Sequence, residues 1–156
     1  MAEEKLEVTS GLFGDGETIP TSAAHTMVGG DNISPGLTWS QGPSETKSYA
    51  VTCWDPDAPT TVGFSHWVVF DIPASVRSLD AGATPPGVSG FTDWGESRWG
   101  GMAPPAGDDP HHYEFTVYSL DTESLGVDQT TTYAKFRFLI RGHVLASGTL
   151  TGRFGL

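Results

Sequence analysis

Alternation of apolar and polar residues is the strongest signal in the chain. Tyr49, Val51 and Cys53 are apolar and share one parity, which predicts a strand from Ser48 to Asp55 with Asp55 on the apolar face. A second alternating run puts His111, Tyr113, Phe115 and Val117 on one side and His112, Glu114 and Thr116 on the other. That predicts a strand over 112–120, with His111 and Tyr113 inside and His112 outside. The run His66 to Ile72 is apolar on both parities, with His66, Val68, Phe70 and Ile72 set against Trp67 and Val69. It reads as a central strand buried on both faces, with His66 beginning it at the sheet rim.

Weaker signals fill the remainder. Leu6 and Val8 open a first strand, and Gly11 to Gly16 is rich in turn residues. His25 to Asp31 reads as an exposed or edge segment, with His25 on the surface. Leu37 and Trp39 precede a polar turn and are expected to form a hairpin with Ser48 to Asp55. A helix is predicted over Thr130 to Arg141, because Tyr133, Phe136 and Ile140 fall on one face and Gly142 suits its stop. Val144 to Leu150 is expected as the last strand. Between Pro73 and Gly101 lies a long excursion with little periodicity, and such loops are usually functional or interfacial. Its Trp94 and Trp99 are expected to line a pocket mouth, make a subunit contact or pin the loop to its own domain.

Twenty glycines and eleven prolines punctuate these runs, as expected of a mainly β domain, and 156 residues suit one domain that folds without staples. The net charge of -11 repels phosphate backbones and anionic bilayers at long range, and the eight Lys and Arg residues are scattered, which argues against nucleic acid as a partner. Cys53 is the single cysteine and shares the apolar parity, so a buried thiol is expected in a chain compatible with the reducing cytoplasm. No apolar run follows the acidic start Met1-Ala2-Glu3-Glu4-Lys5, so neither a signal peptide nor a spanning helix is expected.

The chemistry concentrates where extended runs meet proline-rich turns. In Asp55-Pro56-Asp57-Ala58-Pro59 the prolines end the strand and hold two carboxylates on a stiff turn. In Pro104-Pro105-Ala106-Gly107-Asp108-Asp109-Pro110-His111-His112-Tyr113 an inward imidazole and phenol follow such a turn.

These stretches, with Gly63-Phe64-Ser65-His66-Trp67-Val68-Val69, Asp71-Ile72-Pro73 and Gly100-Gly101, resemble the phosphatidylethanolamine-binding protein (Raf kinase inhibitor-like) family in its small bacterial and archaeal form. Ser34-Pro35-Gly36-Leu37-Thr38-Trp39 and Gly142-His143-Val144-Leu145-Ala146 match more weakly. The pieces run in the family's order through roughly residues 5 to 150. The resemblance implies an antiparallel β-sandwich-like fold with one or two short helices. It also implies a pocket for phosphate or phosphoethanolamine-type head groups, made by Asp55, Asp57, His66, Ala103, Pro105, His111 and Tyr113. Strand parity sends three of these inward on separate grounds.

In such a site His66, His111 and Tyr113 are expected to donate to anionic oxygens, with the aspartates orienting the imidazoles and favouring their charged forms. The resemblance further implies a homodimer, a regulatory or kinase-inhibitor-like role, and a non-proline cis bond near Val62-Gly63. Met102 and Ala103 depart from the usual Pro and Cys or Gly, and His112 replaces the usual Arg.

A weak hydrolase is the alternative. It lacks a nucleophile, since Ser65 has the wrong parity, Cys53 points into the core and no Gly-x-Ser-x-Gly elbow exists. No cofactor is expected. Zinc held by His66, His111, Asp55 and Asp57 is a third option without local two-histidine spacing.

Overall fold

Ser48 to Asp55 forms a strand with the predicted bounds and sits at the middle of the molecule. The computed structural model describes residues 4–156, so the part of the N-terminal expectation that falls on residues 1–3 lies outside the described residues. Its strands are β1 (Glu4–Lys5), β2 (Val8–Thr9), β3 (Leu37–Trp39), β4 (Ser48–Asp55), β5 (Phe64–Pro73), β6 (Ser78–Leu79), β7 (Val88–Ser89), β8 (His111–Leu120) and β9 (Val144–Phe154), with helix α1 (Tyr133–Leu139) before the last. They make a six-stranded sheet, ordered β1-β9-β8-β4-β5-β7, and a three-stranded sheet, ordered β2-β3-β6. Every pairing is antiparallel except β1 with β9, which is parallel.

The large sheet is covered on both faces, which explains the unbroken apolar runs of β4 and β5. Tyr49, Val51, Cys53, Trp67, Val69, Tyr113, Phe115 and Val117 face a core completed by Val8, Leu37, Trp39 and Leu79 of the small sheet. Ala50, Val68, Phe70, Tyr118 and Leu120 face a second core closed by Phe136 and Ile140. The fold is therefore mainly β and sandwich-like, with one short helix on the outer face. Thr132 caps that helix by accepting the Lys135 N–H at 3.2 Å, so it begins later than the apolar face alone predicts.

Several expectations are corrected. β3 and β4 are not a hairpin: β3 pairs with β2 and β6 in the small sheet and meets β4 across the sandwich, where Trp39 packs on Tyr49 at 5.6 Å between ring centroids. The first predicted strand splits at buried Leu6, sending β1 to the large sheet and β2 to the small one. Of the two readings for His25 to Asp31 the exposed segment holds and the edge segment does not: its residues are exposed or half-buried, and Thr26–Val28 is a single 3-10 turn with His25 Nδ1 accepting the Met27 N–H.

Two irregularities in β5 overrule simple parity. Tyr49 pairs with Ile72 but Val51 with Val69, so β5 holds an extra residue there, and Asp71 takes a positive φ of 58°. The bulge returns Ile72 to the face of Trp67 and Val69 instead of the face of Val68 and Phe70. A second shift lies between Cys53↔Trp67 and Trp54↔Ser65, and the residue it inserts is His66. His66 and Trp67 consequently both pack on Trp99, with centroids 6.2 and 5.4 Å away. Strict alternation would have aimed His66 at the helix layer.

β9 runs four residues beyond its predicted end, because its glycines are sites of close approach rather than breaks. A Cβ on Gly148 would fall inside the Leu6 carbonyl oxygen, where the chain leaves β1 beside β9. Gly148→Ala is therefore expected to cost about 2 kcal/mol or more in urea unfolding. Gly11→Ala, with nothing within 4 Å of the new methyl, should stay within about 0.5 kcal/mol of the parent. Equal effects at the two positions would contradict the packing described.

Candidate functional site

Three strand ends converge at one edge of the large sheet. Asp55 closes β4, His66 sits in the bulge near the start of β5, and His111 and Tyr113 begin β8, the antiparallel neighbour of β4. Together with Ala58, Pro59, Thr60, Phe64, Trp94, Ala103, Pro104 and Pro105 they line a cavity of about 290 Å³. That is near the lower end for small-molecule sites, and the predominance of apolar walls with few polar groups is usual for them.

Asp55 is the centre of the polar wall. Only 3% exposed, its carboxylate accepts the Asp57 backbone N–H on Oδ1 at 2.8 Å and meets His111 Nδ1 on Oδ2 at 2.7 Å. The Pro56 turn makes the first bond, an Asx-type closure two residues on. Burial lowers the proton affinity of His111, but the Asp55 and Asp108 carboxylates outweigh it and hold the group above its ordinary value. Its Nε2 is 3.0 Å from Asp108 Oδ2, so each ring nitrogen faces a carboxylate oxygen and both act as donors. Burial first, then the nearby Asp55 charge, pushes the Tyr113 phenol far up, so it remains a protonated donor.

His66 behaves in the opposite way. Its Nδ1 lies 2.7 Å from the Gly100 carbonyl, which can only accept, so Nδ1 carries the proton. Burial drives its pKa down to about 4, against the partial opposition of the Gly100 carbonyl and the Asp55 charge. At neutral pH it is an uncharged ring with Nε2 as an acceptor. The expectation of two matching imidazole donors is thus corrected: His111 donates, and His66 presents a lone pair.

The loop from the long excursion supplies the remaining wall. Asp93 clamps it to β5, accepting the Ser65 N–H at 2.7 Å. Trp94 lines the cavity, donates Nε1–H to the Gly101 carbonyl at 3.2 Å and stacks on His25 at 4.0 Å and 17°. His25 is therefore a half-buried backing for the cavity wall and not a plain surface residue. Trp99 is core, with its Nε1–H on the Ala23 carbonyl. Asn32 accepts the Gly101 N–H at 2.7 Å and fixes the strip leading to Ala103 and Pro105. Gly100 is required because any Cβ there would strike the Trp94 indole.

Asp57 does not join the cavity lining. Its Oδ2 accepts both the backbone N–H and Nδ1 of exposed His112, each at 2.7 Å, which lowers its pKa despite partial burial. Alternation on β8 points His112 away from His111, and Asp57, on the turn beyond the end of β4, reaches outward to it. All peptide bonds among the described residues are trans, and Gly63 instead takes a φ of 70°. Among these residues no three His, Cys, Asp or Glu side chains are grouped to hold a metal ion. Asp108 and Phe64 were not assigned from sequence. The signal for Asp108 was its place three residues before His111, across Pro110.

The two histidines have opposite linkage to folding. His111, raised, contributes stability that is complete below about pH 6.5 and lost as pH rises through its folded value. His66, depressed, contributes stability present above about pH 6.5 and lost as pH falls through about 4. His66→Asn keeps a donor for the Gly100 carbonyl but cannot titrate. Urea unfolding is expected to show the parent losing up to about 3 kcal/mol more than this variant between pH 6.5 and 4. Parallel acid limbs would show that His66 is not held neutral.

Comparison with known proteins gives a consistent answer. The family model described as phosphatidylethanolamine-binding protein matches residues 9–155. UPF0098 protein YbcL of Escherichia coli is 43% identical over 94% of this chain and 85% of its own length, and YbhB of the same organism is 42% identical over 96% and 99%. The crystal structure of E. coli YbcL, described as a new member of the mammalian PEBP family, superposes with a TM-score of 0.92 at 40% identity, covering 97% of this chain and 99% of that one. The homologue CT736 of Chlamydia trachomatis gives 0.88 at 30% identity over 99% of both. With the family model matched over residues 9–155 and both solved structures superposing along almost the whole chain, the chain belongs to the phosphatidylethanolamine-binding protein family.

Proposed function

We propose that the protein binds a small phosphate ester of the phosphoethanolamine type in this cavity. The observation that carries the reading is the double pairing of His111. One ring nitrogen is fixed by buried Asp55, and the other already holds an anionic oxygen from the half-exposed Asp108. A phosphate oxygen fits the same donor, and hydrogen bonds between charged partners are roughly twice as strong as neutral ones. Tyr113 adds a phenolic donor beside it, and neutral His66 offers an acceptor to a ligand N–H or to a protonated phosphate oxygen. The remaining walls, Pro59, Phe64, Trp94 and Pro105, suit an organic arm, and a cationic amine gains from the aromatic faces. Phosphatidylethanolamine-binding protein is also the description of the family model, which supports a binding role.

Binding rather than catalysis is favoured by the state of the would-be nucleophiles. Ser65 is buried and its Oγ accepts the Asp93 N–H, while Thr60 donates its hydroxyl to the Gly63 carbonyl. Burial, then the charges of Asp55 and Glu114, pushes the Cys53 thiol well above its usual range. A lone buried thiol suits the cytoplasm. No helix among the described residues is long and apolar enough to cross a membrane. Trp94 and Trp99 are committed to the cavity and the core, so a homodimer gains no support from them.

Sulfate tests the donor directly, because its charge is constant across the histidine range. Calorimetry is expected to show sulfate and phosphoethanolamine binding, at least about tenfold weaker in His111→Gln. Sulfate affinity should decline as pH rises through the elevated His111 value, above about 6.5. A flat profile between about pH 5.5 and 9, or no effect of His111→Gln, would remove His111 from the site.

A further inference from the structure

We infer that Asp108 is an internal competitor for the ligand and sets which anions the site accepts. This rests on the phosphate-ester reading above. The carboxylate of Asp108 occupies the one nitrogen of His111 that an incoming anion can use, at 3.0 Å, whereas Asp55 holds the other from inside the protein.

The two acids are mounted very differently. The Asp55 side chain is 4% exposed and also closes the turn to Asp57. That of Asp108 is 43% exposed, and among the described residues His111 is the only side-chain hydrogen-bond partner of its carboxylate. The loop that carries it is tied by the Asp108 N–H on the Pro105 carbonyl at 3.2 Å and by a long Gly107 N–H to the Leu156 carbonyl at 3.4 Å. Swinging the Asp108 side chain outward breaks one hydrogen bond and uncovers no core. A ligand therefore displaces Asp108 and leaves Asp55 in place.

Selectivity follows. A tethered carboxylate acts at an effective concentration in the millimolar range or above. A free monocarboxylate brings the same group and the same single charge, so it gains nothing by replacing Asp108. A phosphate brings more charge, a further oxygen for the Tyr113 hydroxyl and, when singly protonated, an O–H for the His66 lone pair, and it wins the exchange. Asp108 thereby excludes simple carboxylates in favour of phosphate-bearing compounds.

The test compares the parent chain with Asp108→Ala, Asp108→Asn and Asp109→Ala by calorimetry against inorganic phosphate and acetate. Asp108→Ala should bind phosphate about tenfold more tightly and acquire measurable acetate binding, with Asp108→Asn intermediate. Asp109→Ala removes the same charge one residue away and should change phosphate affinity less than about twofold. If the parent binds phosphate and Asp108→Ala gains nothing, the competitor role is wrong and the binding site stands. An equal gain in Asp109→Ala reduces the effect to bulk charge and also overturns the role. If neither parent nor Asp108 variants bind phosphate, both the role and the phosphate-ester reading fall.

Discussion

A carboxylate taken out of water must be matched by donors, and the edge of the large sheet is arranged around satisfying Asp55. Its two oxygens are met by the Asp57 N–H from the proline-bounded turn and by His111 from the neighbouring strand. Because β4 and β8 are adjacent and antiparallel, the end of one lies beside the beginning of the other, and this register brings Asp55 to His111. The pair in turn fixes the charge of the imidazole, and the charge fixes which chemistry the cavity offers. Substituting either partner leaves the other buried without its match, which in buried pairs costs more than the pair contributes.

The second histidine has been given the complementary state by a backbone device. One inserted residue in β5 turns His66 from the helix layer into the cavity, and a Gly100 carbonyl then selects its tautomer. Burial without a carboxylate on the ring keeps it neutral. Two chemically identical residues therefore act as donor and acceptor across one small space. The arrangement suits a ligand with both an anionic oxygen and a hydrogen to give, such as a phosphate ester bearing an amine, better than it suits a bare anion. For the proposed anion site the net charge of -11 is no obstacle, because the attraction would be made at contact distance rather than by the field of the whole molecule.

Much of this was legible in the residues. Alternation gave the inward faces of Ser48 to Asp55 and of His111 to Val117, and so sent Asp55, His111 and Tyr113 inward; that they share one pocket came from the family resemblance, because strand adjacency is not written in alternation. Where parity misled, the cause was a bulge: nothing in His66-Trp67-Val68 marks the extra residue, since a bulge is set by the partner strand. The hairpin of Leu37 to Asp55 failed because extended segments of similar pattern serve both sheets of a sandwich. The strand from Val144 runs past its expected end at Leu150 to Phe154, through Gly152, whose missing side chain makes room for Ile19, a contact that local pattern does not carry. Asp57 and His112 went outward together, which the alternation had assigned for His112 and the family pattern had obscured for Asp57.

The contrast between the two rings is read directly by nitrogen chemical shifts of the histidine side chains at pH 7. His111 should show both ring nitrogens protonated, and His66 should show the neutral form with the proton on Nδ1. A neutral His111 or a charged His66 under those conditions would contradict it.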